Sequence, residues 1–327
     1  MPDRKVADTL PDFLRTQRER STQESKRGLE DLTILCRESP VMSDRILRSC
    51  IPHLDGTGLR SLSLAGCSRL SGAPVLELLP KLPRLEHLAL EATNVDPRSL
   101  AQFAPCLRSI LSLKLTHPGP AHPCESSFFD GLSTIFAQAN KLEAFTIYHS
   151  GAGSTGSRHW PVLPLSFVEA LTSSGVAARL VKFECSNILV PLDSIDMLCP
   201  TLVRVKDLVI HVPYNAGPVL IDHLAVALSR LCQLKTLHIL SQYPDVEFDR
   251  IVWLASQCSP TLKQLGLRNR VWHVERTRQV QSEDGTETKQ QRFRLIETAE
   301  AFGAFKRNRY GAEEDAEPDV SESEDEQ

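Results

Sequence analysis

The pattern apolar-x-x-apolar-x-apolar recurs eight times along this chain of 327 residues. Its copies are Leu59/Leu62/Leu64, Leu85/Leu88/Leu90, Ile110/Leu113/Leu115 and Leu142/Phe145/Ile147, then Leu180/Phe183/Cys185, Val205/Leu208/Ile210, Leu234/Leu237/Ile239 and Leu262/Leu265/Leu267. Successive copies start 26, 25, 32, 38, 25, 29 and 28 residues apart. Alternation within each copy has the period of a strand, and the stretches between copies carry apolar residues at helical spacing. One such unit cannot bury its apolar face alone, so neighbours must stack into a solenoid with a continuous core.

A period in the mid-twenties with this signature is that of a leucine-rich repeat. The fold class expected is α/β, a leucine-rich-repeat solenoid of the ribonuclease-inhibitor-like horseshoe type. Hydrophobic residues make up 41% of the chain and aromatics only 6%, which suits a core of Leu, Ile and Val ladders. Helices are expected over Pro97–Ala104, Phe128–Ala139, Val219–Leu231 and Asp249–Gln257. Residues 1–28 read as a flexible or helical arm, residues 29–270 as the solenoid, with Leu29/Leu32/Ile34 a degenerate first repeat. Two extended runs around Asp284-Gly285 predict a capping β-hairpin over 271–297. Residues 298–327 read as a disordered acidic tail. Its last fifteen residues hold nine acids and no base, leaving 32 acidic against 37 basic side chains in the first 312, a net of +5.

Other patterns fail the context their chemistry needs. Gly151-Ala152-Gly153-Ser154-Thr155-Gly156 matches a dinucleotide fingerprint, but Pro161 and Pro164 prevent the helix that must open at the third glycine. It reads as an insert loop carrying Trp160. His117, His122 and Cys124 crowd a Pro-rich segment without a second ligand cluster, so no metal is expected. No nucleophile elbow, triad signature or P-loop occurs, and no cofactor is expected. The nine cysteines are scattered without a Cys-x-x-Cys pair and read as reduced, mostly structural thiols. The N-terminus has no signal-peptide pattern and no apolar run reaches bilayer length, so the chain reads as a soluble monomer of the cytoplasm and/or nucleus. Arg276, Arg278, Lys289, Arg292 and Arg294 make the hairpin basic, yet interleaved acids dilute the field, and nucleic acid is not the expected partner. In the tail, Ser321 and Ser323 each precede an acid by three positions, as acidophilic kinase sites do.

Strand residues between the apolar positions face the concave side, because side chains alternate across a strand. The candidate partner-binding residues there are His87, Glu91, Lys114, Tyr148, Lys182, Glu184, Asp207, His211, His238, Leu240 and Arg268. The stripe is mixed in charge and partly apolar, which suits a protein partner better than a phosphate backbone.

Leu62-Ser63-Leu64-Ala65-Gly66-Cys67-Ser68-Arg69-Leu70 resembles the cysteine-containing class of leucine-rich repeats, as do Cys199-Pro200-Thr201-Leu202 and Cys258-Ser259-Pro260-Thr261-Leu262. That class is common in F-box proteins, the substrate receptors of cullin ubiquitin ligases. The ending from Arg268 to Val274 and its basic hairpin is similar to that of basidiomycete F-box/leucine-rich-repeat-like proteins. Of an F-box only a faint likeness to its start stands at Leu10-Pro11-Asp12, and too few apolar residues follow before Leu29, so the resemblance covers the repeat region. It implies a non-enzymatic receptor that binds a partner protein on the concave face, with a ligase adaptor as a further partner. The alternative is a GTPase regulator, since solenoid plus acidic tail also resembles the Ran GTPase-activating protein.

Overall fold

The computed structural model describes residues 2–23, 28–36, 41–119, 125–150, 160–213, 220–241, 246–268, 270–283 and 286–297. The acidic tail with Ser321 and Ser323, the Gly151–Gly156 motif, His122 and Cys124 lie outside them. The chain opens with helix α1 (Pro2–Gln23), followed by β1 (Asp31–Leu35) and α2 (Asp44–Leu54). Next come β2 (Ser61–Ala65), α3 (Gly72–Leu78), β3 (His87–Glu91) and α4 (Leu100–Phe103). The longer middle units are β4 (Ser112–His117), α5 (Glu125–Gln138), β5 (Ala144–His149) and α6 (Leu165–Ser173). Then follow β6 (Lys182–Leu189), α7 (Leu192–Leu198), β7 (Asp207–Val212), α8 (Leu220–Leu228), β8 (Thr236–Ser241), α9 (Phe248–Gln257) and β9 (Gln264–Leu267). Strands β10 (Arg270–Glu283) and β11 (Thr286–Glu297) end the described chain.

All eleven strands join one open sheet in chain order, so the structure is a mixed α/β, solenoid-like array of the leucine-rich-repeat kind. Strands β1 to β9 run parallel, β10 is antiparallel to β9, and β11 to β10. The degenerate repeat at Leu32 and Ile34 forms a true first strand, with Leu32 level with Leu62. Register stacks the second apolar position of each repeat into one buried row: Leu32, Leu62, Leu88, Leu113, Phe145, Phe183, Leu208, Leu237 and Leu265. Each such side chain removes apolar surface from water at about 25 cal/mol per Å², and the row is continuous because every strand supplies one member.

Phenylalanines cluster in the core at the two long repeats. Phe136 meets Phe145 edge-on at 5.1 Å, Phe129 meets Phe167 edge-on at 5.3 Å, and Phe136 lies tilted against Phe167 at 5.4 Å. Such geometry suits the ring quadrupole, adding about 0.5–1.5 kcal/mol per pair beyond area burial.

At the Cys199-Pro200-Thr201-Leu202 junction the Thr201 hydroxyl donates to the Leu198 carbonyl at 2.8 Å within its own repeat, whereas the Cys258-Ser259-Pro260-Thr261-Leu262 junction bonds across repeats. The Ser259 hydroxyl donates to the Cys232 carbonyl at 2.7 Å, and the Thr261 hydroxyl donates to the Leu234 carbonyl at 2.8 Å. These bonds tie one repeat to the one before it, where the helix turns back into a strand. Cys199 and Cys258 pack beneath, and burial pushes each thiol up to about 12.

Both ends of the core are covered. Helix α1 seats Leu14 in the core, with Leu10 packed one turn earlier and Phe13 left exposed. At the other end Trp272 and Val271 are buried, with Val274 and Leu295 packed against the core. Arg276, on the same face of β10 as Trp272, donates to the carbonyls of Ala255 (3.2 Å), Cys258 (3.3 Å) and Ser259 (2.9 Å). It thereby serves the Ala255 carbonyl in the last turn of α9, the Cys258 carbonyl at its C-cap and the Ser259 carbonyl just beyond.

Candidate interaction face

Helices pack on one face of the sheet, and the opposite face presents side chains in three rows. Along the strand starts run Ser61, His87, Ser112, Ala144, Lys182, Asp207, Thr236 and Gln264. The middle row is Ser63, Ala89, Lys114, Thr146, Glu184, Val209, His238 and Gly266. Toward the strand ends lie Ala65, Glu91, Thr116, Tyr148 and Ser186, then His211 paired with Leu240. Ser and Ala carpet the N-terminal part, so larger side chains stand out on a shallow surface.

One polar cluster is assembled from three consecutive strands. Lys114 Nζ lies 2.8 Å from Glu91 Oε2, and the Tyr148 hydroxyl donates to the same oxygen at 2.9 Å. The Lys114 ammonium sits 5.7 Å from the Tyr148 ring centroid. Beside it, Ala92 adopts φ 47° and its N–H donates to the Thr116 hydroxyl at 2.9 Å, pinning the backbone after Glu91. A partly exposed ion pair contributes only about 0–1 kcal/mol. The cluster therefore orients groups more than it stabilises the fold. A second carboxylate stands on β6, where Lys182 Nζ lies 3.1 Å from Glu184 Oε2 and the Ser186 hydroxyl donates to Glu184 Oε1 at 3.4 Å.

The remaining expected contact residues divide by burial. His87 and Arg268 are exposed, while Asp207 and Leu240 are half-buried. Arg268 stands in the tight turn into β10 with φ 55°. Glu184, His211 and His238 face the open side by register but are buried, His211 to 4% exposure. They shape the face from beneath and offer little surface of their own. His238 is covered because it lies over Gly266, where a Cβ would come within 2.6 Å of its Nδ1. Burial lowers the pKa of His238, partly offset by the Asp207 carboxylate, and burial takes His211 down to about 4.

Trp160 covers His211, with ring centroids 5.4 Å apart, and it also meets His149 at 6.2 Å. The segment carrying Trp160 returns from the second long insert and pairs with the end of β6. Leu163 N–H donates to the Leu189 carbonyl, and Leu189 N–H donates to the Pro161 carbonyl, both at 2.8 Å. Asn187, at φ 56° where the β6 register shifts, donates its side-chain amide to the His149 carbonyl at 2.9 Å. His117 is no surface-loop residue. It ends β4 at 1% exposure, edge-on to Phe128 at 5.0 Å, and accepts the Gly119 N–H at 3.0 Å. His117 and His211 are thus buried at strand ends, with half-buried His149 and Trp160 between their rings. Alternation carries a signal for two of them, since His117 follows Leu113 and Leu115, and His149 follows Phe145 and Ile147, on the apolar side of their strands.

Among the described residues no group of three His, Cys, Asp or Glu is placed to hold a metal ion. No helix among them is long and apolar enough to cross a membrane. A cavity of about 570 Å³ lies at the strand starts between Glu30, Arg60, Arg84, Glu86 and Lys141. Its charges are mixed, and the Arg60–Glu86 ion pair at 2.8 Å occupies its wall.

Fold and face together define a leucine-rich-repeat-like solenoid with a mixed-charge open sheet. No protein-family profile matches the chain. No curated protein matches it either. Among solved structures it is similar to a chain of the yeast Rad7 and Elc1 complex, with 15% identity and a TM-score of 0.43. The match covers 81% of this chain and 66% of that one, so this chain spans just under two thirds of that neighbour. A likeness at this level carries nothing about activity.

Proposed function

We propose that this chain is a non-enzymatic protein-interaction module of the cell interior, holding a partner protein on its open sheet face. The observation that carries the reading is the Glu91–Lys114–Tyr148 cluster. Three strands hold a carboxylate, an ammonium and an amphipathic ring in one fixed arrangement, beside a carpet of small residues that lets a partner approach closely. Pre-ordered groups lose little side-chain entropy on binding, and Tyr is among the residues enriched at interface hot spots. In the finer reading the module is a substrate receptor of a cullin-type ubiquitin ligase in a horseshoe scaffold, with a ligase adaptor as second partner. The likeness of its cysteine-containing repeats to F-box/leucine-rich-repeat proteins supports that reading.

The test is affinity purification of the tagged full-length chain from its own cells, with mass spectrometry of the co-purifying proteins. The wild type is run beside Lys114→Glu, Tyr148→Ala and, on the outer helices, Arg250→Ala. A partner lost with the first two variants and kept with the third supports the open face as its seat. Co-purification of an adaptor and a cullin supports the ligase reading, and their absence beside a face-dependent partner removes it. Stimulated GTP hydrolysis by a captured GTPase would replace both with the regulator reading. Loss of every partner in high salt alone would favour nucleic acid.

A further inference from the structure

We propose that Cys36 and Cys67 are a redox pair that peroxide closes into a disulfide, fastening the first strand of the solenoid to the second. The two sulfurs lie 3.7 Å apart, the Cys67 thiol directed at Cys36 Sγ. Their backbones are fixed as neighbours. Cys36 N–H donates to the Ala65 carbonyl at 2.8 Å, continuing the β1–β2 ladder, and Cys67 follows one residue beyond Gly66. Gly66 makes the approach possible: its φ is +68°, and a Cβ there would stand 2.0 Å from the Cys36 carbonyl oxygen. The register sets Leu35 level with Ala65, so Cys67 stands one position past the residue opposite Cys36; a spacing of about 4.8 Å across and about 3.3 Å along the strand gives about 5.8 Å, within the Cα separation of about 4.4–6.8 Å that a disulfide spans. Sulfur-to-bond closure then needs side-chain rotation rather than strand movement.

Burial assigns the roles. Cys36 is half-buried and open to a small oxidant, whereas Cys67 is fully buried. Burial pushes the Cys67 thiol up to about 12, and a neighbouring Cys36 thiolate opposes its ionisation further. The Cys36 thiolate therefore attacks first. It displaces one oxygen of hydrogen peroxide, giving a sulfenic acid at Cys36 and one water once protons are counted. Cys67 then attacks the sulfenyl sulfur as its proton passes to the departing hydroxide, forming the S–S bond and a second water. Two thiols and one peroxide become one disulfide and two waters, with the peroxide reduced. The closed loop encloses α2, and the residue before Cys36, Leu35, is an exposed side chain on the open face. Oxidation would thus stiffen the N-terminal margin of that face.

The experiment uses the full-length chain, reduced, treated with hydrogen peroxide and then alkylated with N-ethylmaleimide. Non-reducing digestion and mass spectrometry should find a Cys36–Cys67 linked peptide, two thiols lost per chain, reversal by dithiothreitol, and an upward shift of the unfolding midpoint. In Cys67→Ser, dimedone should label Cys36, because its sulfenic acid can no longer be resolved. Peroxide that modifies exposed Cys232 or half-buried Cys106 while no Cys36–Cys67 peptide forms overturns the proposal. So does equal thiol loss in Cys36→Ser and wild type. The wild-type measurement stands alone should either variant fold poorly.

Discussion

His211 carries the sharpest consequence at the scale of single residues. Its imidazole is buried under Trp160, and desolvation lowers its pKa from an ordinary 6.5 to about 4. The unfolded chain takes up that proton at higher pH than the folded one. Stability from this site is therefore intact above about pH 6.5 and is lost as pH falls toward 4, by at most about 3 kcal/mol. His238 shifts in the same direction for the same reason, with Asp207 opposing. Denaturant midpoints measured from pH 7 to pH 5 should fall in the wild type and fall less in His211→Gln. Parallel slopes in the two proteins would mean that His211 is not the titrating group. Alternation along β7 places His211 on the open side from sequence alone. Its burial was not legible, because the ring that covers it belongs to another repeat.

Among elements, the end of α9 shows how the array is closed. Arg276 reads in sequence as one more base on a charged hairpin, yet its guanidinium serves three carbonyls at the helix end. Hydrogen bonds to a charged donor contribute about 1.5–3 kcal/mol. Arg276→Ala should lower stability by about 1–3 kcal/mol in a denaturant titration. All three bonds leave a single nitrogen, Nη2, so Arg276→Lys, whose ammonium also carries several donors on one nitrogen, should recover more of the stability than Arg276→Ala. Equal stability of Arg276→Ala and wild type would show that the carbonyls are served as well by water. The strands and most helices were legible in advance because each rests on its own periodicity. The expected Val219–Leu231 helix appears as Leu220–Leu228, and the expected Phe128–Ala139 helix as Glu125–Gln138. The short α4 is flanked by 3-10 turns at Pro97–Ser99 and Ala104–Leu107, a break the proline positions only hinted at.

The whole molecule is quasi-one-dimensional, so each repeat depends on its neighbours and the ends decide solubility. Strand β9 has its outer edge paired with β10 from Arg270 to His273. A chain truncated after Arg268 exposes that edge and the core surface under Trp272, and is expected to aggregate. A chain truncated after Glu297 keeps the hairpin and should remain monodisperse by light scattering. Aggregation of both would place the protective element in the last thirty residues instead.

Repeat spacing and residue alternation determine the solenoid, the parallel order of its strands, the ladders of its core and the capping hairpin. These follow from local periodicity and from the need of each unit to bury one face. The tertiary structure alone decides which open-face residues reach solvent and which lie beneath it. It sets three strands so that Glu91, Lys114 and Tyr148 meet, brings Trp160 back over His211, and stands Cys36 against Cys67. Each of these contacts joins residues from different repeats, and the distance between repeats is set by packing, which no single stretch of chain encodes.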